Sequence, residues 1–111
     1  MYTQREIEER LDNVYSKFGD IRLGAAGSYS RGDAEQDSDV DIVIEGDSMR
    51  VDIMEYIKNI FNGNADVLWM DLLKQEDEKL DKLFMENDLP SNQNSVYKNV
   101  LREVKWHEKV V

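Results

Sequence analysis

Ile7, Leu11, Val14 and Phe18 recur at intervals of four, three and four residues, which gathers them on one side of a helix. Thr3 and Glu6 stand ahead of them at the spacing of a capping box, and Gly19 ends the segment, so the pattern predicts an N-terminal helix covering one face of a sheet. The period then changes to two. Ile21, Leu23 and Ala25 alternate with other residues and predict a strand over 21–26 that delivers the chain to Gly27. Val40, Ile42 and Ile44 alternate in the same way and predict a second strand whose apolar side enters the core. After a turn at Gly46-Asp47-Ser48, Ser48 is expected to cap a helix over 49–61, buried through Ile53, Ile57, Ile60 and Phe61 with help from Met54. Asp52 and Glu55 then face outward. The turn Asn62-Gly63-Asn64 leads into a β-prone run over 65–69. Residues 72–86 read as a partly exposed helix on Leu72, Leu73, Leu80, Leu83 and Phe84, and 88–94, with the sole proline Pro90, as a loop. Val96, Val100, Leu101 and Val104 predict a helix over 95–105. The tail 106–111 is a short edge strand or a frayed end. Together these elements predict one α/β domain over 1–111, a small mixed β-sheet with helices packed mainly on one face.

Composition narrows the function classes. A chain of 111 residues supports one modest core. With no cysteine there is neither a disulfide framework nor a thiolate metal site, which favours a cytoplasmic protein. Met1 leads directly into charged residues, and no apolar run approaches the roughly 18 residues of a membrane span, so neither secretion nor membrane insertion is expected. The net charge of −10, with no cluster of lysines or arginines, argues against a nucleic-acid partner. The same acidity suits solubility, and it suits a basic protein partner. His107 is the sole histidine and is expected to be an exposed bystander in the tail. Trp106 and the terminal valines form an apolar end that packs on the body or on another chain, which leaves room for an oligomer.

The chemistry concentrates between the first two strands. Gly27-Ser28 is a small turn able to bring backbone N–H groups and a hydroxyl close to a phosphate chain. Asp39 and Asp41 follow at the start of the second strand, two residues apart, so that both carboxylates project to one side. Aspartate is depleted in strands, and two on one face repel unless a cation lies between them. Carboxylate oxygens suit magnesium or manganese, and two such ions about 3.5–4 Å apart can serve in-line displacement at phosphorus. A third carboxylate would complete the site. Asp66 is the candidate, and Asp71 is its rival, although Asp71 also makes sense as the cap of the next helix. Arg31 is placed either to touch the triphosphate or to pair with Asp33 or Asp37 on the surface. Tyr29 and Ser30 carry less weight, and Asp33, Glu35 and Asp37 read as a solvated loop edge.

Gly27-Ser28, ten residues, then Asp39-Val40-Asp41, with Arg31-Gly32 and Ser38 between them, resembles the nucleotidyltransferase superfamily related to DNA polymerase β, and within it the minimal nucleotidyltransferases. The likeness is dense over 21–45 and thinner beyond; Ser30 departs from the small apolar residue usual before the arginine. The resemblance implies a nucleotidyltransferase fold in which Asp39, Asp41 and Asp66 are catalytic and bind two magnesium ions, or manganese, while Gly27, Ser28 and Arg31 hold the nucleotide. It implies transfer of AMP from ATP to an acceptor hydroxyl. For the minimal members it further implies a small helical HEPN protein as partner, adenylylated on a tyrosine, in a toxin–antitoxin pair. Two other readings stand beside this one: a transferase acting on a small molecule such as an aminoglycoside, and a non-catalytic antitoxin that works by contact alone.

Overall fold

The computed structural model describes residues 2–27, 39–46, 50–89 and 95–109. Its first helix, α1 (Gln4–Lys17), opens with the expected reciprocal cap. The Thr3 hydroxyl accepts from the Glu6 N–H at 3.1 Å, and the Thr3 N–H donates to the Glu6 carboxylate at 3.1 Å. The predicted stripe is buried, with Tyr15 added to it.

Four strands follow the two-residue period: β1 (Arg22–Ala26), β2 (Val40–Glu45), β3 (Ala65–Trp69) and β4 (Lys105–His107), in the order β3-β2-β1-β4. β1 runs antiparallel to β2 and to β4, whereas β2 and β3 are parallel, which makes the sheet mixed. Parallel neighbours need a crossover, and helix α2 (Val51–Ile60) supplies it. Two further helices, α3 (Met70–Glu86) and α4 (Val96–Glu103), follow β3 and precede β4.

The main core lies between one face of the sheet and the helices α1 and α2. Ile7, Leu11 and Val14 meet Ile53, Ile57 and Phe61 over Leu23, Val40, Ile42 and Ile44. A smaller apolar cluster occupies the other face, where Met70 and Val100 pack with Ala26 and Val43, flanked by Leu68, Leu73, Tyr97, Val104 and Trp106. β2 is therefore enclosed from both sides except near its beginning.

Several boundaries differ from the sequence reading. α2 starts at Val51, not Met49, because Arg50 stays extended at φ −124° while its guanidinium reaches Asp20 at 2.9 Å and Asp52 at 3.4 Å. The Ser48 cap lies outside the described residues. α3 follows β3 without a break, so Trp69 occupies the cap position and Asp71 falls inside the first helical turn. Trp69 ends the strand with its side chain in the main core, and the helix begins at Met70, two residues ahead of the expected start at Leu72. At the start of the tail, Lys105–His107 forms the edge strand β4.

His107 is not the exposed bystander that its place in the tail suggested. Its Nε2 lies 2.7 Å from Asp12 of α1, and its ring stacks on Tyr15 at 6.0 Å. Tyr15 ties the same elements together, since its hydroxyl accepts from the Leu23 N–H at 2.7 Å and donates to the His107 carbonyl at 2.6 Å. Trp106 packs on the body of the protein, with the Arg22 guanidinium 4.2 Å from its ring centre.

Candidate active site

Strand register decides which carboxylates meet. β2 and β3 pair so that Asp41 and Asp66 are direct neighbours across the ladder, and side chains paired in this way share a face. On the other flank of β2, Asp41 pairs with Ala26, the last residue of β1, and the next residue is Gly27. Gly27, Asp41 and Asp66 thus stand side by side at one edge of three adjacent strands.

Gly27 has φ +71°, a conformation that costs an L-residue strain, and a Cβ built there would lie 2.2 Å from Asp41 Oδ2. The glycine is needed for both reasons. The chain turns out of β1 at this point, and the Asp41 carboxylate fills the space that any side chain would take.

Val40 is wholly buried in the main core, while Asp41 on its far side is partly exposed and Asp39, just before the strand, is exposed. The Val40 N–H donates to the Asn64 carbonyl at 2.9 Å, which sets the register of β2 against the turn that precedes β3. Asp66 is exposed as well. Asp71 lies past the other end of β3, more than about 10 Å from Asp66 along the strand direction. Geometry therefore separates the two rivals: Asp66 stands beside Asp41, and Asp71 does not. Ser28 and Arg31 lie outside the described residues.

Asp41 and Asp66 bring carboxylate oxygens, the donor type that magnesium and manganese take, to neighbouring positions on one face. Among the described residues no group of three or more such side chains is gathered closely enough to hold a metal ion.

Among the contacts of the described residues that sequence reasoning did not foresee are Asp77–Lys98 and Asp12–His107. Asp77 is buried on α3, in the stripe begun by Met70 and Leu73, and its carboxylate lies 3.9 Å from Lys98 of α4. A buried acid at an apolar position leaves no signal in periodicity. The Asp12–His107 pair spans 95 residues of sequence and has no local signature either. A cavity of about 240 Å³ lined by Asp12, Tyr15, Ser16 and Lys109 adjoins that pair and includes none of the candidate catalytic residues.

The mixed sheet thus brings a left-handed glycine and two neighbouring carboxylates to one edge. A family model described as a nucleotidyltransferase domain matches residues 5–109, and the chain belongs to that family, as a minimal nucleotidyltransferase. Among curated relatives, a protein adenylyltransferase MntA from Thermococcus cleftensis is 31% identical over 83 residues, covering 67% of this chain and 84% of the relative. Among solved structures, a chain from a crystal structure of a toxin–antitoxin with AMP-PNP superposes with a TM-score of 0.60 at 14% identity. That superposition covers 93% of this chain and 73% of the other, and establishes the likeness of fold.

Proposed function

We propose that this nucleotidyltransferase moves AMP from ATP to a hydroxyl of a protein acceptor, a tyrosine of a small helical HEPN toxin, and acts as the antitoxin of the pair. The alignment of Gly27, Asp41 and Asp66 across three neighbouring strands carries the reading. The likeness to a protein adenylyltransferase supports a protein as acceptor, and the fold neighbour, whose title names a toxin–antitoxin with AMP-PNP, supports the partner and the nucleotide.

In this scheme Asp39, Asp41 and Asp66 hold two magnesium ions, or manganese. When bound, the ions neutralise triphosphate charge and polarise the α-phosphoryl group. Gly27 lets the backbone come close to the outer phosphates, Ser28 adds its hydroxyl to them, and Arg31 adds a positive charge. Asp66 accepts the proton of the acceptor hydroxyl as its oxygen forms a bond to the α-phosphorus. The bond from that phosphorus to the bridging oxygen breaks, and pyrophosphate leaves. Positioning and electrostatics supply the rate, and neither requires a covalent enzyme intermediate.

The test is direct. Incubation with ATP, magnesium and a small helical protein that copurifies with the chain should add one adenylate mass to that protein and release pyrophosphate. Asp39→Asn combined with Asp41→Asn should abolish both. Full transfer by the double variant would overturn the metal assignment. Label appearing only on a small hydroxylated compound would move the acceptor to that class, and neutralisation by the double variant without any pyrophosphate would point to contact alone.

A further inference from the structure

α3 buries one flank and leaves another bare. Met70 and Leu73 pack into the smaller cluster, whereas Leu72, Leu80 and Leu83 are 41%, 43% and 52% exposed. These three recur at eight and three residues, which places them on a single side of the helix. Leu80 also lines a shallow groove where α3 meets the start of α4, beside Tyr97 and the 59% exposed Val96. Scattered surface leucines need no explanation, but a stripe bordering a groove marks an interaction surface.

Charge selects the occupant. α3 carries six carboxylates against three lysines; Asp77 is buried on the packed flank and both it and Asp81 lie near Lys98, so the acidic excess that selects a partner is chiefly that of the whole chain, with its net charge of −10. A second copy would set acid against acid, whereas a cationic helix with one apolar side would satisfy both the leucines and their surroundings. Placement adds to this. Met70 and Leu73 pack with Val43 and Leu68, which by strand alternation share the sheet face of Asp41 and Asp66. A protein held on α3 is thereby held on the face that carries the carboxylates.

We propose that the leucine stripe of α3 docks a basic amphipathic helix of another protein, which is the acceptor if the adenylyltransferase reading above holds. The probe is a fluorescein-labelled leucine–lysine peptide of about five helical turns, with a leucine–glutamate twin as control. Anisotropy titrations compare wild type with Leu72→Ser/Leu80→Ser/Leu83→Ser, which leaves the charge unchanged and replaces only exposed side chains. Wild type should bind the lysine peptide saturably and at least about tenfold tighter than the variant, with no binding of the glutamate twin. Equal affinity for wild type and variant, or equal binding of both peptides, would overturn the proposal. So would a concentration-dependent dimer of wild type that the serine variant loses, since a second copy would then be the occupant. Calorimetric titration of both proteins with ATP and magnesium separates the two ideas: failure there removes the adenylyltransferase reading while leaving the docking result to stand or fall alone.

Discussion

Gly27 and Asp41 share a space that admits only one side chain. A methyl group at Gly27 would meet the Asp41 carboxylate at 2.2 Å while forcing alanine to φ +71°. Gly27→Ala should therefore lower nucleotidyl transfer on the order of a hundredfold by displacing the carboxylate, as a misplacement of about 1 Å does elsewhere. Its backbone cost is smaller, about 1–2 kcal/mol. Pyrophosphate release measured alongside a denaturation midpoint distinguishes the two effects. The Asp41–Asp66 pairing makes a second prediction, in the opposite direction for stability. In the presence of a chelator, Asp66→Asn should melt at or above the wild type, because it removes one of two like charges that are direct neighbours on the ladder. Adding magnesium should then raise the melting temperature of the wild type more than that of the variant. A chelated wild type clearly more stable than Asp66→Asn would contradict this account of the site.

Among the elements, β4 is the one held by the longest-range contacts. It borders β1, and Gly24 is what lets it approach, since a Cβ at that position would lie 2.8 Å from Val104 and 2.9 Å from the Lys105 carbonyl. The Tyr15 hydroxyl then joins α1 to both strands through Leu23 and His107. Tyr15→Phe leaves the buried Leu23 N–H without that acceptor and should destabilise the fold by about 1–3 kcal/mol, read from urea denaturation. Burial pushes the Tyr15 hydroxyl above its ordinary value of 10.0, against the opposing effect of the Leu23 N–H. Since the raised value belongs to the folded state, the contribution of the neutral hydroxyl is present below pH 10 and is lost as pH rises through the folded value. The stability gap between wild type and Tyr15→Phe should accordingly narrow above pH 10. A gap that widens there would show that the hydroxyl is not held in its neutral form.

For the molecule as a whole, charge is the dominant feature. Twenty-four acidic residues against fourteen basic ones leave a net charge of −10, and self-repulsion opposes compaction. Raising monovalent salt from about 0.01 M to about 0.15 M shortens the screening length from about 30 Å to about 8 Å and should raise the melting temperature. A melting temperature that falls over this range would mean that favourable ion pairs outweigh the repulsion. The exposed pairs give no reason to expect that: Arg5–Glu9 and Arg22–Glu108 are both largely solvated.

Hydrophobic spacing alone determined the mixed α/β class, the stripe of α1, the core side of β2 and the short run that became β3, because period and burial are local properties of the chain. Residue type and spacing also singled out Gly27, Asp39, Asp41 and Asp66, since few other roles account for aspartates at the start of an apolar strand. Tertiary structure alone decided the register that sets Asp41 beside Asp66 and leaves Asp71 at the far end of β3. It alone brought His107 to Asp12 and Lys98 to the buried Asp77. The physical reason is the same in each case. Parallel pairing and long-range contacts depend on where distant segments meet, and a one-residue slip, which no local pattern forbids by itself, would turn every side chain of a strand to the opposite face.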